Sequence, residues 1–142
     1  MDGTEIVQIP DLYPEIEPYN TEYLEVRGGH NIYFEECGNP NGYPILFLHG
    51  GPGAGCSSKS RRFFNPEKWR IILFDQRGSG RSMPFGEIKN NSTWYLVHDI
   101  RELLHHLSVK KVVLFGGSWG STLALVFAIQ YPDLVSGMIL RG

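Results

Sequence analysis

Short apolar runs that stop abruptly at charge or glycine recur along this chain. "ILFLHG" (45–50), "WRIILFDQ" (69–76) and "KKVVLFGG" (110–117) are β-branched or aromatic runs of strand length. Continuous runs of this kind predict strands buried on both faces, as in a parallel sheet. The earlier stretch "TEYLEVRGGHNIYFEECG" (21–38) alternates instead. Leu24 and Val26 are interleaved with charges, Gly28-Gly29 supplies a turn, and Ile32 and Phe34 resume the alternation, which predicts an antiparallel hairpin. Over 93–108, Trp94, Val97, Ile100, Leu103, Leu104 and Leu107 recur at helical spacing, and Asp99, Arg101, Glu102, His105 and His106 are assigned to the opposite side. Ser92 or Thr93 is placed to cap that helix. A second helix is expected over 121–131, apolar nearly all round and therefore buried, with Pro132 ending it. "SGMILRG" (136–142) reads as a last strand, and residues 1–20, with three prolines, as an extended segment.

Strands and helices in this alternation predict an α/β fold with a mostly parallel sheet. In such sheets ligands bind beyond the carboxyl ends of the strands. "HGGPGAG" (49–55), "DQRGSGRS" (75–82) and "GGSWGS" (116–121) all fall at those ends. The chain holds 17 glycines in 142 residues, and many sit in these three clusters, which marks tight backbone geometry or close approach to a ligand.

Gly116-Gly117-Ser118-Trp119-Gly120 matches G-x-S-x-G and stands between a predicted strand and a predicted helix, the context in which that pattern is a nucleophile elbow. Ser118 is the candidate nucleophile. An acyl-transfer site also needs donors for a developing oxyanion. One is the backbone N–H of Trp119; the other is assigned to the 49–53 loop, at Gly51 first and Gly50 second, with Pro52 stiffening the loop. A Gly/Ser turn that merely caps the second helix is the simpler reading of the same residues. Neither G-x-x-x-x-G-K-[ST] nor G-x-G-x-x-G is present, so phosphate and dinucleotide cradles are disfavoured.

"FLHGGPGAG", "FDQRGSGRS" and "GGSWGSTLAL", in this order and at these distances, resemble the proline iminopeptidases (prolyl aminopeptidases), serine peptidases of the α/β-hydrolase fold. The opening "LYPEIEPYN…YLEV…G…IYFEECGNPNG" is similar to the same family's N-terminal segment, so the resemblance covers nearly the whole chain. It implies an α/β-hydrolase domain and release of N-terminal proline from peptides through an acyl-enzyme on Ser118. It also implies that no metal or organic cofactor is needed and that His49 precedes the oxyanion loop without acting as the base. Asp75 and Arg77 are expected to be loop scaffolding. An esterase-like α/β-hydrolase, or a non-catalytic interaction module built on the same elbow, are the alternatives. Epoxide hydrolases and dehalogenases are disfavoured because their nucleophile position carries aspartate.

In this fold the triad runs Ser, then Asp or Glu, then His. The 24 residues after Ser118 contain one acid, Asp133, and no histidine. Asp133 belongs to the turn after Pro132, beyond a helix that carries it away from Ser118. His98, His105 and His106 ride the first helix and are expected to face solvent. The chain is therefore expected to be the N-terminal part of one hydrolase domain, 1–142, with the cap and the remaining catalytic residues downstream. Alone it should have negligible activity and should self-associate through an apolar 136–142 strand edge.

Charge and cysteines narrow the rest. A net charge of −2 gives no electrostatic case for nucleic acid or an anionic membrane. The N-terminus lacks the basic and apolar regions of a signal peptide, and no run approaches ~18 apolar residues, so a cytoplasmic location is expected. Cys37 and Cys56 have no metal-type spacing and read as two free thiols.

Overall fold

In the computed structural model, residues 12–51, 55–87 and 92–141 are described. Pro52 and Gly53 of the glycine loop, the first half of the N-terminal segment and Gly142 lie outside the described residues. The elements follow the hydrophobic pattern. β1 (Asn20–Val26) and β2 (His30–Gly38) form the antiparallel hairpin, with Gly28 and Gly29 at positive φ in its turn. β3 (Tyr43–Leu48), β4 (Trp69–Phe74), β5 (Val112–Gly117) and β6 (Val135–Arg141) are the remaining strands. α1 (Thr93–His106) joins β4 to β5, and α2 (Trp119–Gln130) joins β5 to β6.

One six-stranded sheet results, in the order β1-β2-β4-β3-β5-β6. β2 meets β4 antiparallel, and β4, β3, β5 and β6 run parallel. Because β3 lies between β4 and β5, the loops after these three strands converge on one edge of the sheet. Side chains alternate across the sheet. Leu46, Leu48, Ile72, Phe74 and Leu114 pack with α1 and α2 on one face. Ile45, Ile71, Leu73 and Phe115 pack with Cys56 and Phe64 on the other. Burial of each such side chain contributes roughly 1.5–3 kcal/mol, which is why the two-sided runs are read as strands so readily.

Three expectations are corrected. Trp94 is 66% exposed and does not join the apolar face of α1. At about 100° per residue it stands ~120° around the helix from Ile100, outside the stripe that Val97, Leu103 and Leu104 define. Asp99, expected on the polar side, is fully buried. α2 is not buried all round: Leu123, Ala124 and Phe127 face the sheet, while Leu125 and Ile129 are exposed. Helical pattern distinguishes the apolar from the polar residue but cannot say which apolar face meets the sheet when every face is apolar. Ser92 does occupy the N-cap position of α1, but its side chain makes no capping hydrogen bond.

Asp99 is buried because Arg77 is buried with it. The Arg77 guanidinium donates twice to the Asp99 carboxylate, 2.7 Å from Nε to Oδ2 and 2.7 Å from Nη2 to Oδ1, and also to the Arg27 carbonyl at 2.8 Å. This ties the 75–82 loop to α1 and to the β1–β2 turn. Removing one partner of such a pair leaves an uncompensated buried charge. Arg77→Ala is expected to lose about 3–5 kcal/mol of stability, measured by chemical denaturation. A loss below ~1 kcal/mol would show that the pair is not what holds the loop.

Candidate active site

The elbow is built by three consecutive backbone events. β5 ends at Gly117, Ser118 takes φ 55° and ψ −123°, and α2 starts at Trp119. Positive φ at a non-glycine residue is costly and persists only where the surroundings enforce it. Here the Ser118 N–H donates to the Arg141 carbonyl at the end of β6, 3.2 Å away. The Ser118 carbonyl accepts from the Ser121 N–H at 3.0 Å and from its hydroxyl at 2.6 Å. Ser118 itself is exposed, so a hydroxyl stands above the carboxyl edge of the sheet. The Trp119 N–H lies in the first turn of α2, where N–H groups have no intrahelical acceptor and the helix dipole is positive.

β3 pairs directly with β5, Leu48 opposite Gly116, so the chain leaving β3 passes beside the elbow. Contact is close: a Cβ at Gly50 would lie 2.9 Å from the Gly117 carbonyl oxygen and 3.1 Å from the Ser118 Cβ. Gly51 follows at φ 61° and is exposed. A cavity of about 410 Å³ opens over this point, lined by Gly50, Gly51 and Ser118 and by Phe47, Phe63 and Phe115. The three phenyl rings stack on one another at 5.6–5.9 Å between centroids, giving the cavity an aromatic wall. A second cavity of about 320 Å³, beside Arg27, Trp94 and Tyr131, shares no lining residue with it.

His49 is buried and fully engaged. Its Nε2 accepts from the Gln76 backbone N–H at 2.9 Å, so Nδ1 carries the proton and faces the Gly50 carbonyl at 3.1 Å. Burial lowers its pKa below the ordinary histidine value, and it is neutral near pH 7. A folded-state pKa below the unfolded one makes the fold lose stability as pH falls through and below ~6.5, and leaves no such dependence above it. Neither nitrogen is available to take a proton from Ser118, so His49 organises the loop. Asp75 likewise belongs to the scaffold. Its carboxylate accepts from the Cys56 N–H at 2.7 Å and from Arg81 at 2.8 and 2.9 Å, closing the 75–82 loop. Cys37 and Cys56 are free and buried; burial pushes the Cys37 thiol up to about 12 and the Cys56 thiol well up, so neither is a thiolate.

Asp133 sits in a short 3-10 turn, Pro132–Leu134, that leads into β6. Because β6 starts opposite the first residue of β5, that turn lies at the end of the sheet away from Ser118. His105 and His106 are exposed on α1 as expected, but His98 does not face solvent: its side chain is only 17% exposed, with Nε2 3.7 Å from Glu102, because it flanks the buried stripe of Val97 and Asp99. Among the described residues, no group of three or more His, Cys, Asp or Glu is arranged to hold a metal ion, and no helix is long and apolar enough to cross a membrane. Gln76 and the phenylalanine wall were not singled out by sequence. Gln76 carried no signal beyond its place in the loop. Phe47 and Phe115 fall within the apolar strand runs, and Phe63 carries no signal of its own.

The chain is 54% identical over 131 residues to a probable proline iminopeptidase of Leptolyngbya boryana, covering 92% of this chain and 41% of the relative. It is 52% identical to a proline iminopeptidase of Arabidopsis thaliana over the same share, covering 34% of that protein. The chain thus spans roughly two fifths or less of the length of these curated relatives. Among solved structures, a proline iminopeptidase-related protein of Thermus thermophilus superposes with a TM-score of 0.75 at 30% identity, over 85% of this chain and 43% of that one. An epoxide hydrolase of Vigna radiata superposes with a TM-score of 0.73 at 25% identity, over 85% of this chain and 39% of that one. The family model described as alpha/beta hydrolase fold matches residues 43–142, from the first parallel strand through the elbow, and the chain belongs to that family.

Proposed function

We propose that this chain carries the nucleophile and the oxyanion donors of a serine peptidase that releases N-terminal proline from peptides. The observation that carries the reading is Ser118, held at positive φ beside the 49–51 loop in a chain about half identical to proline iminopeptidases. In this mechanism Ser118 Oγ attacks the carbonyl carbon of the proline residue. The hydroxyl proton passes to a general base and then to the departing amine, and the C–N bond breaks. Proline is left as an acyl ester on Ser118, and water hydrolyses that ester. The N–H groups of Gly51 and Trp119 stabilise the oxyanion of each tetrahedral intermediate, each donor supplying about 2.7–4 kcal/mol. No metal or organic cofactor takes part in these steps. The phenylalanine wall offers an apolar surface to the pyrrolidine ring.

Among the described residues, neither a base nor the acid that would orient it is available at Ser118, since His49 is engaged and Asp133 lies at the far end of the sheet. These 142 residues expressed alone should therefore turn over proline arylamides negligibly. Met138, Ile139 and Leu140, each about two fifths exposed on the edge strand β6, favour self-association of such a chain. The test compares proline arylamides with acyl esters on the full-length product of the gene, alongside the 142 residues alone. Preference for the proline arylamide in the former and negligible turnover in the latter support the reading. Preference for esters points to an esterase, and a serine silent to fluorophosphonate in the full-length product points to a non-catalytic module.

A further inference from the structure

Gln76 is a buried polar residue of the 75–82 loop whose side chain has no task in the reading above. It is 4% exposed and follows β4, whereas Ser118 and Trp119 follow β5. These strands are not neighbours; β3 separates them. Two strand spacings amount to roughly 9–10 Å, so a link between the two loops must cross the end of β3. The Gln76 carboxamide makes that crossing. Its Nε2 donates to the His49 carbonyl at 2.8 Å, and its Oε1 accepts from the Trp119 indole N–H at 3.0 Å. The orientation is dictated chemically, because an indole N–H only donates and a carbonyl only accepts. The Gln76 backbone adds the third contact, to His49 Nε2.

Both ends of this strut lead to an oxyanion donor. His49 stands two residues before Gly51, and Trp119 is the other donor residue itself. We infer that Gln76 is a positioning residue: its carboxamide, bonded to the His49 carbonyl and the Trp119 indole, sets the separation of the two oxyanion donors. The inference rests on the serine hydrolase reading of Ser118. Glutamine is the side chain that fits. Glutamate at 76 has no hydrogen to give the His49 carbonyl, and methionine, similar in shape, makes neither bond.

The test uses the full-length product of the gene with Gln76→Met, Gln76→Glu, Trp119→Phe, the Gln76→Met/Trp119→Phe pair and Ser118→Ala. Trp119→Phe keeps the backbone N–H and removes only the indole donor. Each single change at 76 or 119 is expected to lower kcat for a proline arylamide by about 10–100-fold, as misplacement of about 1 Å does, with KM changed less than ~3-fold. The pair should cost no more than the worse single variant, since both cut the same strut. If Gln76→Met fails to fold, Gln76→Glu, which keeps the indole contact, carries the test. An unchanged kcat per folded molecule, with only the unfolding temperature lowered, would make Gln76 a structural residue and overturn the inference while Ser118→Ala remains inert. Turnover that survives Ser118→Ala, or a wild type without turnover, would overturn the hydrolase reading and this inference with it.

Discussion

Ser118→Ala in the full-length product is expected to lower kcat for proline arylamides by about 10⁶-fold, the loss that removal of the nucleophile causes in triad hydrolases. The size follows from the absence of a substitute among the described residues. The Ser121 hydroxyl, one helical turn on, already donates to the Ser118 carbonyl at 2.6 Å. Both cysteine thiols are buried and held protonated. What survives is binding and the oxyanion donors, worth ~10³–10⁴ over water. The variant should fold, because the Ser118 side chain is exposed and makes no capping bond to α2. Steady-state kinetics, with a fluorophosphonate probe that labels the wild type and not the variant, reads the effect. A variant within ~10-fold of wild type would place the nucleophile elsewhere.

The second large effect is on folding. Gly120→Ala is expected to lose about 5 kcal/mol or more, a size reached only by a few mechanisms, backbone overlap in a packed core among them. A Cβ at Gly120 would fall onto the Leu48 carbonyl oxygen, 2.9 Å from the Leu48 carbonyl carbon and 3.2 Å from the His49 oxygen. A Cβ at Gly116 would meet the Gly120 carbonyl in the same way. The neighbours are backbone, not the ends of flexible side chains, so no rotamer change relieves the overlap. Either α2 lifts from the sheet or β3 shifts, and each disturbs the elbow. Soluble yield and chemical denaturation measure the loss. An unfolding temperature within a few degrees of wild type would show that β3 and α2 are less tightly locked than their contacts indicate.

These two glycines show how much of the site was legible in the residues. G-x-S-x-G between a strand and a helix names a position for a sharp turn, and the turn is there, at Ser118. The motif does not reveal that Gly120 is required by β3, a strand more than sixty residues earlier, or that Gly116 is required by the backbone of Gly120. The same limit explains Asp99 and Trp94. Helical periodicity sorts residues into faces by type, but a charge can be buried if a partner arrives from elsewhere, and Arg77 arrives from the loop after β4. An aromatic residue can be left outside if it falls off the stripe. The place of His49 in the loop is legible in the residues; its tautomer and its bond to Gln76 are set only by the folded structure.

The chain's local chemistry settled which segments become strands and α-helices, that β3, β4 and β5 are covered on both faces, and where the backbone must turn sharply. Those outcomes depend on alternation, apolar run length and glycine, all readable over a few neighbouring residues. That the 49–55, 75–82 and 116–121 loops share the carboxyl edge follows from the strand pattern; strand order, and with it the bonding of Gln76 to both His49 and Trp119, was decided only in three dimensions. Placing β3 between β4 and β5 lets residues that are tens of positions apart share hydrogen bonds, and no local pattern encodes that adjacency.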